Sequence, residues 1–274
     1  MVKPYYSSRD DKFKLYEGDS NYVLSCLTKK FDMVFADPPY FLSNDGLTIE
    51  HGKPVSVNKG AWDKEESISG IHRFNNKWLS EVRKVMKDNA TIFVSGTSHN
   101  IFSVGLTLQQ LGFKILNTII WEKSNPPPHL ACRRFTHSNE IIIWARKLPK
   151  VAHYFDYSMM KLINDNKQMK DVWNFPAIGK WEKSCGKHPT QKPLSLLSRI
   201  IVASTRIGDT ILDPFAGSCS TGIAANLLNR KFVGVELEQE YLELSKKRRK
   251  ELLNQDLKDF YLSKIKGFEN INGL

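Results

Sequence analysis

Asp37 stands where an apolar run stops and two prolines begin, in FADPPY (35–40). The prolines fix the backbone and remove two N–H donors, which leaves the Pro38 carbonyl as a bare acceptor. Tyr40 offers a flat face of the kind on which a nucleobase stacks. Asp37 and the Pro38 carbonyl can hold one exocyclic amine by both of its hydrogens. Such an amine, on adenine or cytosine, is a poor nucleophile because its lone pair is delocalised into the ring. Two acceptors at its hydrogens favour a tetrahedral nitrogen and free that lone pair for attack. Asp37, Pro38, Pro39 and Tyr40 are therefore the candidate catalytic residues.

A second cluster lies near the C-terminus. In ILDPFAGSCSTG (211–222) an apolar run ends at Asp213, a loop passes through Gly217, and a helix pattern begins. That geometry presents backbone N–H groups and a positive helix end to an anionic group. Glu236 closes the next apolar run, where an acid can grip a ribose diol. The loop lacks the Gly-Lys-Ser/Thr of a P-loop and the GxGxxG of a dinucleotide site. It reads as the nucleoside-cofactor half of a doubly wound fold.

The elements that must position these residues are legible as short apolar runs alternating with amphipathic stretches, the pattern of a parallel sheet covered by helices. Strands are expected over 13–19, 31–37, 90–96, 113–123, 140–147, 209–213 and 231–238. The short connection between 113–123 and 140–147 favours an antiparallel pair. Phe74, Trp78, Leu79, Val82, Val85 and Met86 share a helical face. Further helices are expected over 100–111, 193–205, 220–229 with Ser220 as N-cap, and 239–255. Two stretches fit neither period: 41–73, read as a long functional or mobile loop, and 148–185, read as a small insertion.

Bulk properties narrow the partner. The 274 residues suit one sizeable core. Forty Lys and Arg against 29 Asp and Glu give +11, a charge that suits a polyanion, nucleic acid first. No apolar run is long enough for a membrane helix, and the first thirty residues carry no signal-peptide pattern. A cytoplasmic location is expected. Cys26, Cys132, Cys185 and Cys219 form no CxxC pair, so neither a zinc site nor a disulfide framework is expected.

DPPY, DPFAGS and the later strand-end Glu together resemble the amino-methylating DNA methyltransferases, in the order of their β-type permutation. GKHPTQKP (186–193) is similar to the segment that this family places around the methionine part of its cofactor, and Asp19 in EGD to the acid that approaches the adenine ring. The resemblance implies an α/β, doubly wound S-adenosylmethionine-dependent fold with a mostly parallel seven-stranded sheet and one antiparallel strand. The catalytic domain would comprise 1–147 and 186–274, with 148–185 as a target-recognition insertion. It implies S-adenosylmethionine as cofactor and no metal. Asp37 and the Pro38 carbonyl would hold the target amine, with Tyr40 stacked on the flipped base. Phe215, Ala216, Gly217 and Ser218 would line the methionine end, with Asp213 near its amino group. Glu236 would take the ribose hydroxyls, and His188, Thr190 and Lys192 would close over the methionine tail. The loop departs from the family pattern at Cys219, which stands where a second Gly is usual.

An Asp before Pro-Pro implies adenine N6 as the target. NPPPHLACRRFTHS (125–138) and KQMKDVW (167–173) resemble the companion methyltransferase of GATC restriction systems, which also accepts single-stranded DNA. Arg133, Arg134, Lys180, Lys183 and Lys187 are candidate DNA contacts, since basic residues among aromatics suit phosphates and bases. KKRRK (246–250) reads as a solvated helix face. A homodimer is common in the resembled group. The rival readings are cytosine N4 methylation, action on RNA or a protein amide, and a DNA-binding module silenced at Cys219.

Overall fold

The computed structural model describes residues 2–41, 47–50, 53–56, 67–124, 126, 128, 132–133, 135–186 and 188–265. The strands are β1 (Tyr6–Ser7), β2 (Phe13–Glu17), β3 (Phe31–Ala36), β4 (Leu47–Glu50), β5 (Lys53–Ser56), β6 (Met86–Gly96), β7 (Lys114–Lys123), β8 (Asn139–Arg146), β9 (Val172–Phe175), β10 (Thr210–Asp213) and β11 (Lys231–Glu236). The helices are α1 (Ser20–Cys26), α2 (Ile68–Val85), α3 (Ile101–Gln110), α4 (Tyr157–Leu162), α5 (Leu194–Ser204), α6 (Ser220–Leu227), α7 (Gln239–Glu251) and α8 (Gln255–Lys264).

Nine strands form one sheet in the order β1-β2-β11-β10-β3-β6-β8-β7-β9, and β4 and β5 form a separate pair. From β2 to β6 the strands run parallel. β8 is antiparallel to both β6 and β7, and β1 is antiparallel to β2. The expectation of seven strands with one antiparallel is thus corrected: the sheet has nine, and β1 as well as β8 runs against the rest. The two extra strands are short edge strands, β1 of two residues and β9 of four. Such short strands leave little period-2 signal to read.

Both faces of the sheet are covered, which is why its central strands read as unbroken apolar runs. In β3, Met33 and Phe35 face one core with Leu197, Ile200 and Ile223, while Val34 and Ala36 face the other with Trp78, Leu79 and Val104. Helices α1, α2 and α3 build the second core; α5, α6 and α8 contribute to the first. No helix among the described residues is long and apolar enough to cross a membrane.

Several boundaries differ from those expected. Met86 shares the apolar face of α2 but begins β6, so Asp88-Asn89 lies within a strand. The last helix is two, broken after Glu251. Residues 68–73 are the start of α2, capped by the Ser67 hydroxyl. Of the expected loop 41–73, residues 42–46, 51–52 and 57–66 lie outside the described residues. Within 148–185, β9 pairs parallel to β7 and extends the main sheet, and Trp173 and Phe175 are buried in its core.

Candidate active site

Because β2, β11, β10 and β3 are adjacent and parallel, their carboxyl ends meet at one edge. Ligands of open α/β sheets bind at that edge. A single cleft lies there, about 1100 Å³ with its open mouth included, ample for a small-molecule ligand. It is lined by Asp37, Pro38, Pro39 and Tyr40 after β3, by Asp213 and Phe215–Ser218 after β10, and by Glu236 at the end of β11. Asp19 after β2 and His188, Thr190 and Lys192 of the 186–193 segment complete it. Every expected catalytic and cofactor residue is therefore brought to one place.

The loop after β10 is held from below. Asp213 accepts hydrogen bonds from the Phe215 N–H at 3.0 Å and the Thr221 hydroxyl at 2.6 Å. Gly217 has φ +51, and a Cβ there would lie 3.0 Å from Nε2 of His188. Glycine takes that left-handed backbone without strain and leaves room for the close approach of His188. Cys219 is also left-handed, at φ +54, and is fully buried as the residue preceding α6. The N-cap position is thus Cys219, not Ser220. A non-glycine residue in this region costs about 1–2 kcal/mol, which the packed thiol offsets in part. Burial pushes the thiol well above its ordinary range, so it is inert as a nucleophile.

Glu236 accepts from the Gly217 N–H at 2.7 Å and from the Leu237 and Glu238 N–H groups at 2.9 Å each. It ties the loop to the end of β11. Asp19 caps α1 through the Tyr22 N–H at 3.1 Å. His188 packs edge-on against Tyr241, centroids 4.2 Å apart, and its Nδ1 accepts from the Thr190 N–H at 3.2 Å. Behind it, buried Glu182 accepts from the Leu194 N–H at 2.8 Å and so caps α5.

At Asp37 the structure shows more than the sequence suggested. Oδ1 accepts from the Tyr40 hydroxyl at 2.6 Å and from the Ser95 hydroxyl. Oδ2 takes the Lys192 ammonium at 2.5 Å. Lys192 also faces Glu140 at 3.4 Å, and Glu140 pairs with Lys123 at 2.7 Å and accepts from Tyr40 at 3.1 Å. Lys192, expected over the methionine tail, thus sits on the candidate catalytic carboxylate of Asp37. Tyr40 is 5% exposed, and the Lys192 ammonium lies 5.3 Å above its ring; an entering base meets that ring only where Lys192 gives way. The Pro39 carbonyl is held by Asn100 Nδ2 at 3.0 Å.

The charges of this network are mutually supported. Burial works against the Lys192 ammonium, but Asp37 and Glu140 outweigh it and hold its pKa above that of an ordinary lysine. Burial likewise raises the Glu140 carboxyl, but Lys192 and Lys123 outweigh it and bring it down to about 2. Burial, with the charges of Asp37 and Glu140, pushes the Tyr40 hydroxyl well up.

Ser95, Lys123 and Glu140 were not singled out from sequence, because each sits in an ordinary strand or strand end. Arg248 was misread. KKRRK reads as a solvated helix face, yet within it Arg248 and Arg249 are buried at 3% and 4% exposure. Arg248 donates to the Ser218 carbonyl at 2.6 Å and the Ser220 hydroxyl at 2.9 Å, clamping the cofactor loop from behind, and Arg249 pairs with Asp10 at 2.6 Å. Of the expected DNA contacts, Arg133 and Lys180 are exposed and Lys183 is partly so, while Arg134 and Lys187 lie outside the described residues. Trp181, between the two lysines, packs on Phe260 and Tyr261 of α8.

The residues present fit a nucleoside cofactor carrying an ammonium group. Asp213 is a buried carboxyl whose donors here are neutral, and Gly217 keeps one wall free of a side chain. A doubly wound fold with that half-site, facing a Pro-flanked carboxylate across one cleft, defines a transferase of the methyltransferase class. The chain belongs to the DNA methylase family, whose profile for N6 and N4 methyltransferases matches residues 31–247. It is 54% identical to the Type II methyltransferase M2.MboI of Moraxella bovis over 97% of both chains, and 54% identical to M2.DpnII of Streptococcus pneumoniae over 90% of this chain and 92% of that one. The crystal structure of the M1.HpyAVI–SAM complex matches with a TM-score of 0.66 at 27% identity, over 86% of this chain and 98% of that one. The cytosine-N4-specific PvuII DNA methyltransferase matches with 0.71 at 19% identity, over 98% and 99%, which shows the fold alone.

Proposed function

We propose that this DNA methyltransferase transfers a methyl group from S-adenosylmethionine to N6 of adenine in DNA, as the modification enzyme of a type II restriction system acting at GATC in the cytoplasm. The observation that carries the reading is the Asp37 carboxylate, facing the cofactor loop across one cleft. The relatives at 54% identity, both type II methyltransferases by name, support the type II system.

S-adenosylmethionine supplies a methyl group activated on a sulfonium. The protein supplies orientation and electrostatics. Glu236 and Asp19 suit the ribose and adenine, Asp213 the ammonium, and Phe215, Ala216, Gly217, Ser218, His188 and Thr190 enclose the methionine part. Asp37 is only 12% exposed at its side chain, so a base reaches it only after leaving the duplex. Both lone pairs of Oδ1 are engaged by Tyr40 and Ser95, and the remaining site on Oδ2, beside Lys192, accepts the amine hydrogen. Arg133, Lys180 and Lys183 suit phosphate contact. The same reading assigns target recognition to residues 148–185 and takes double-stranded DNA as the substrate.

The test is direct. Unmethylated genomic DNA incubated with the enzyme and S-adenosylmethionine, then digested to nucleosides and weighed, yields N6-methyladenine, and a duplex whose single GATC is altered takes up no methyl group. N4-methylcytosine instead would move the target base, and no methylated nucleoside from folded protein would refute the reading.

A pH dependence follows for cofactor binding. Burial, opposed by the bonds from Thr221 and Phe215, raises Asp213 to about 7. A carboxyl raised in the folded state contributes stability that is present at acid pH and lost as pH rises through about 7. The ammonium partner needs the ionised form. Calorimetry should show S-adenosylmethionine affinity falling about tenfold per pH unit below 7 and levelling between 7 and about 8, above which the ammonium itself loses its proton. Asp213→Asn should flatten that profile.

A further inference from the structure

The strand pairing puts one further element beside the catalytic wall. Gly96 of β6 is level with Ile141 of β8, and Glu122 of β7 is level with Asn139. The connection 124–138 therefore leaves the sheet at the edge where Ser95 bonds Asp37. Its base is closed by the Lys123 N–H donating to the Ser138 carbonyl at 2.7 Å. It is tied to the catalytic network through the ion pair of Lys123 with Glu140, which in turn accepts from Tyr40. Ser124 is bonded to Asn174 of β9 at 2.8 Å.

On this connection stands Phe135, 97% exposed, more than any other large hydrophobic residue described. Arg133, Thr136 and His137 beside it are exposed as well. Phe135 is five positions before Glu140, so extended chain places it no more than about 18 Å away. That is within reach of a duplex lying over the cleft, whose grooves are about 8 Å deep. An aromatic ring exposed near the exposed Arg133, on a chain of net charge +11, matches the two surfaces of a duplex: phosphates for the cation and base faces for the ring.

We propose that Phe135 enters the DNA duplex where the target base leaves it, stacks on the neighbouring bases and so holds the base in the extruded state. The proposal rests on the reading of Asp37 as the acceptor of an extruded base. It identifies the partner surface as the stack around the target, with Arg133 on the adjoining phosphate. Phe135 touches neither cofactor nor reacting atoms; it is a positioning residue for the duplex.

The experiment compares wild type, Phe135→Ala and Phe135→Trp on two oligonucleotide duplexes, one fully paired and one mismatched at the target adenine. A 2-aminopurine at the target position reports extrusion. On paired DNA, Phe135→Ala should lose tenfold or more in kcat/KM and most of the fluorescence rise. On mismatched DNA, where extrusion is cheap, the variant should come within about twofold of wild type. Phe135→Trp should restore the paired substrate. Equal losses on both duplexes, no loss on either, or a changed oligomeric state of Phe135→Ala in sedimentation would overturn the proposal. Absence of methylation by the wild type on either duplex would instead refute the functional reading on which it stands.

Discussion

Replacing Asp37 with alanine should lower methyl transfer about a thousandfold while leaving S-adenosylmethionine affinity within a few-fold. In the proposed mechanism the carboxylate holds an amine hydrogen and faces a nitrogen that becomes positively charged as it gains the methyl group. Removing a preorganised electrostatic partner of this kind costs about 10²- to 10³-fold, and loss of a positioned proton acceptor can match that. Cofactor binding should survive because Asp213, Gly217 and Glu236 hold their loop through their own hydrogen bonds. The complication is Lys192. Its Nζ lies 2.5 Å from Asp37 in a site where the lysine is 5% exposed. Deleting one member of a buried pair costs about 3–5 kcal/mol. Asp37→Asn keeps the volume, and Asp37→Asn with Lys192→Met removes both charges. The double variant should melt above Asp37→Asn and remain inactive. Single-turnover rates with calorimetric cofactor titration separate the two effects. A folded Asp37→Asn enzyme with near wild-type rate would remove Asp37 from the mechanism.

The second large effect is expected at Glu140. Beside the proposed place of the target nitrogen the charges alternate, from Asp37 through buried Lys192 and Glu140 to the partly exposed Lys123, with contacts of 2.5, 3.4 and 2.7 Å. Their sum is zero. Glu140→Gln leaves that sum at plus one beside a nitrogen that is itself becoming cationic, and in a buried site such a charge is weakly screened. We expect kcat to fall about 10- to 100-fold with cofactor affinity unchanged, and the melting temperature to fall because Lys192 and Lys123 lose a shared partner. Glu140→Asp should recover part of both. Glu140 is held at about 2, below its usual value. Its contribution to stability is present above the ordinary carboxylate range and is lost only as pH falls through about 2. Wild type and Glu140→Gln should therefore differ in melting temperature throughout pH 5 to 8. A Glu140→Gln enzyme with unchanged kcat would show that Lys192 needs no counter-charge during transfer.

The sequence by itself determined the two half-sites. Asp37 after a buried strand, Gly217 between strand and helix and Glu236 at a strand end are local patterns. Each follows from backbone rules within a few residues: prolines that end a strand, a left-handed glycine, the carboxyl edge of a parallel sheet. The same rules placed β7 and β8 as an antiparallel pair and gave most helices to within a few residues. They missed β1 and β9, which are too short to carry a period, and Cys219, where only the fold forces a positive φ. Only the tertiary structure decided what surrounds Asp37. Ser95 and Lys192 lie 58 and 155 positions away along the chain, and no spacing rule connects them. It also decided which members of KKRRK are buried. A helix shows its charged residues in sequence, but the partners that make their burial tolerable, Ser218 and Ser220 for Arg248 and Asp10 for Arg249, come from distant segments. Ion pairs and hydrogen bonds depend on where the folded backbone brings their atoms, so the electrostatics of this site exist only in three dimensions.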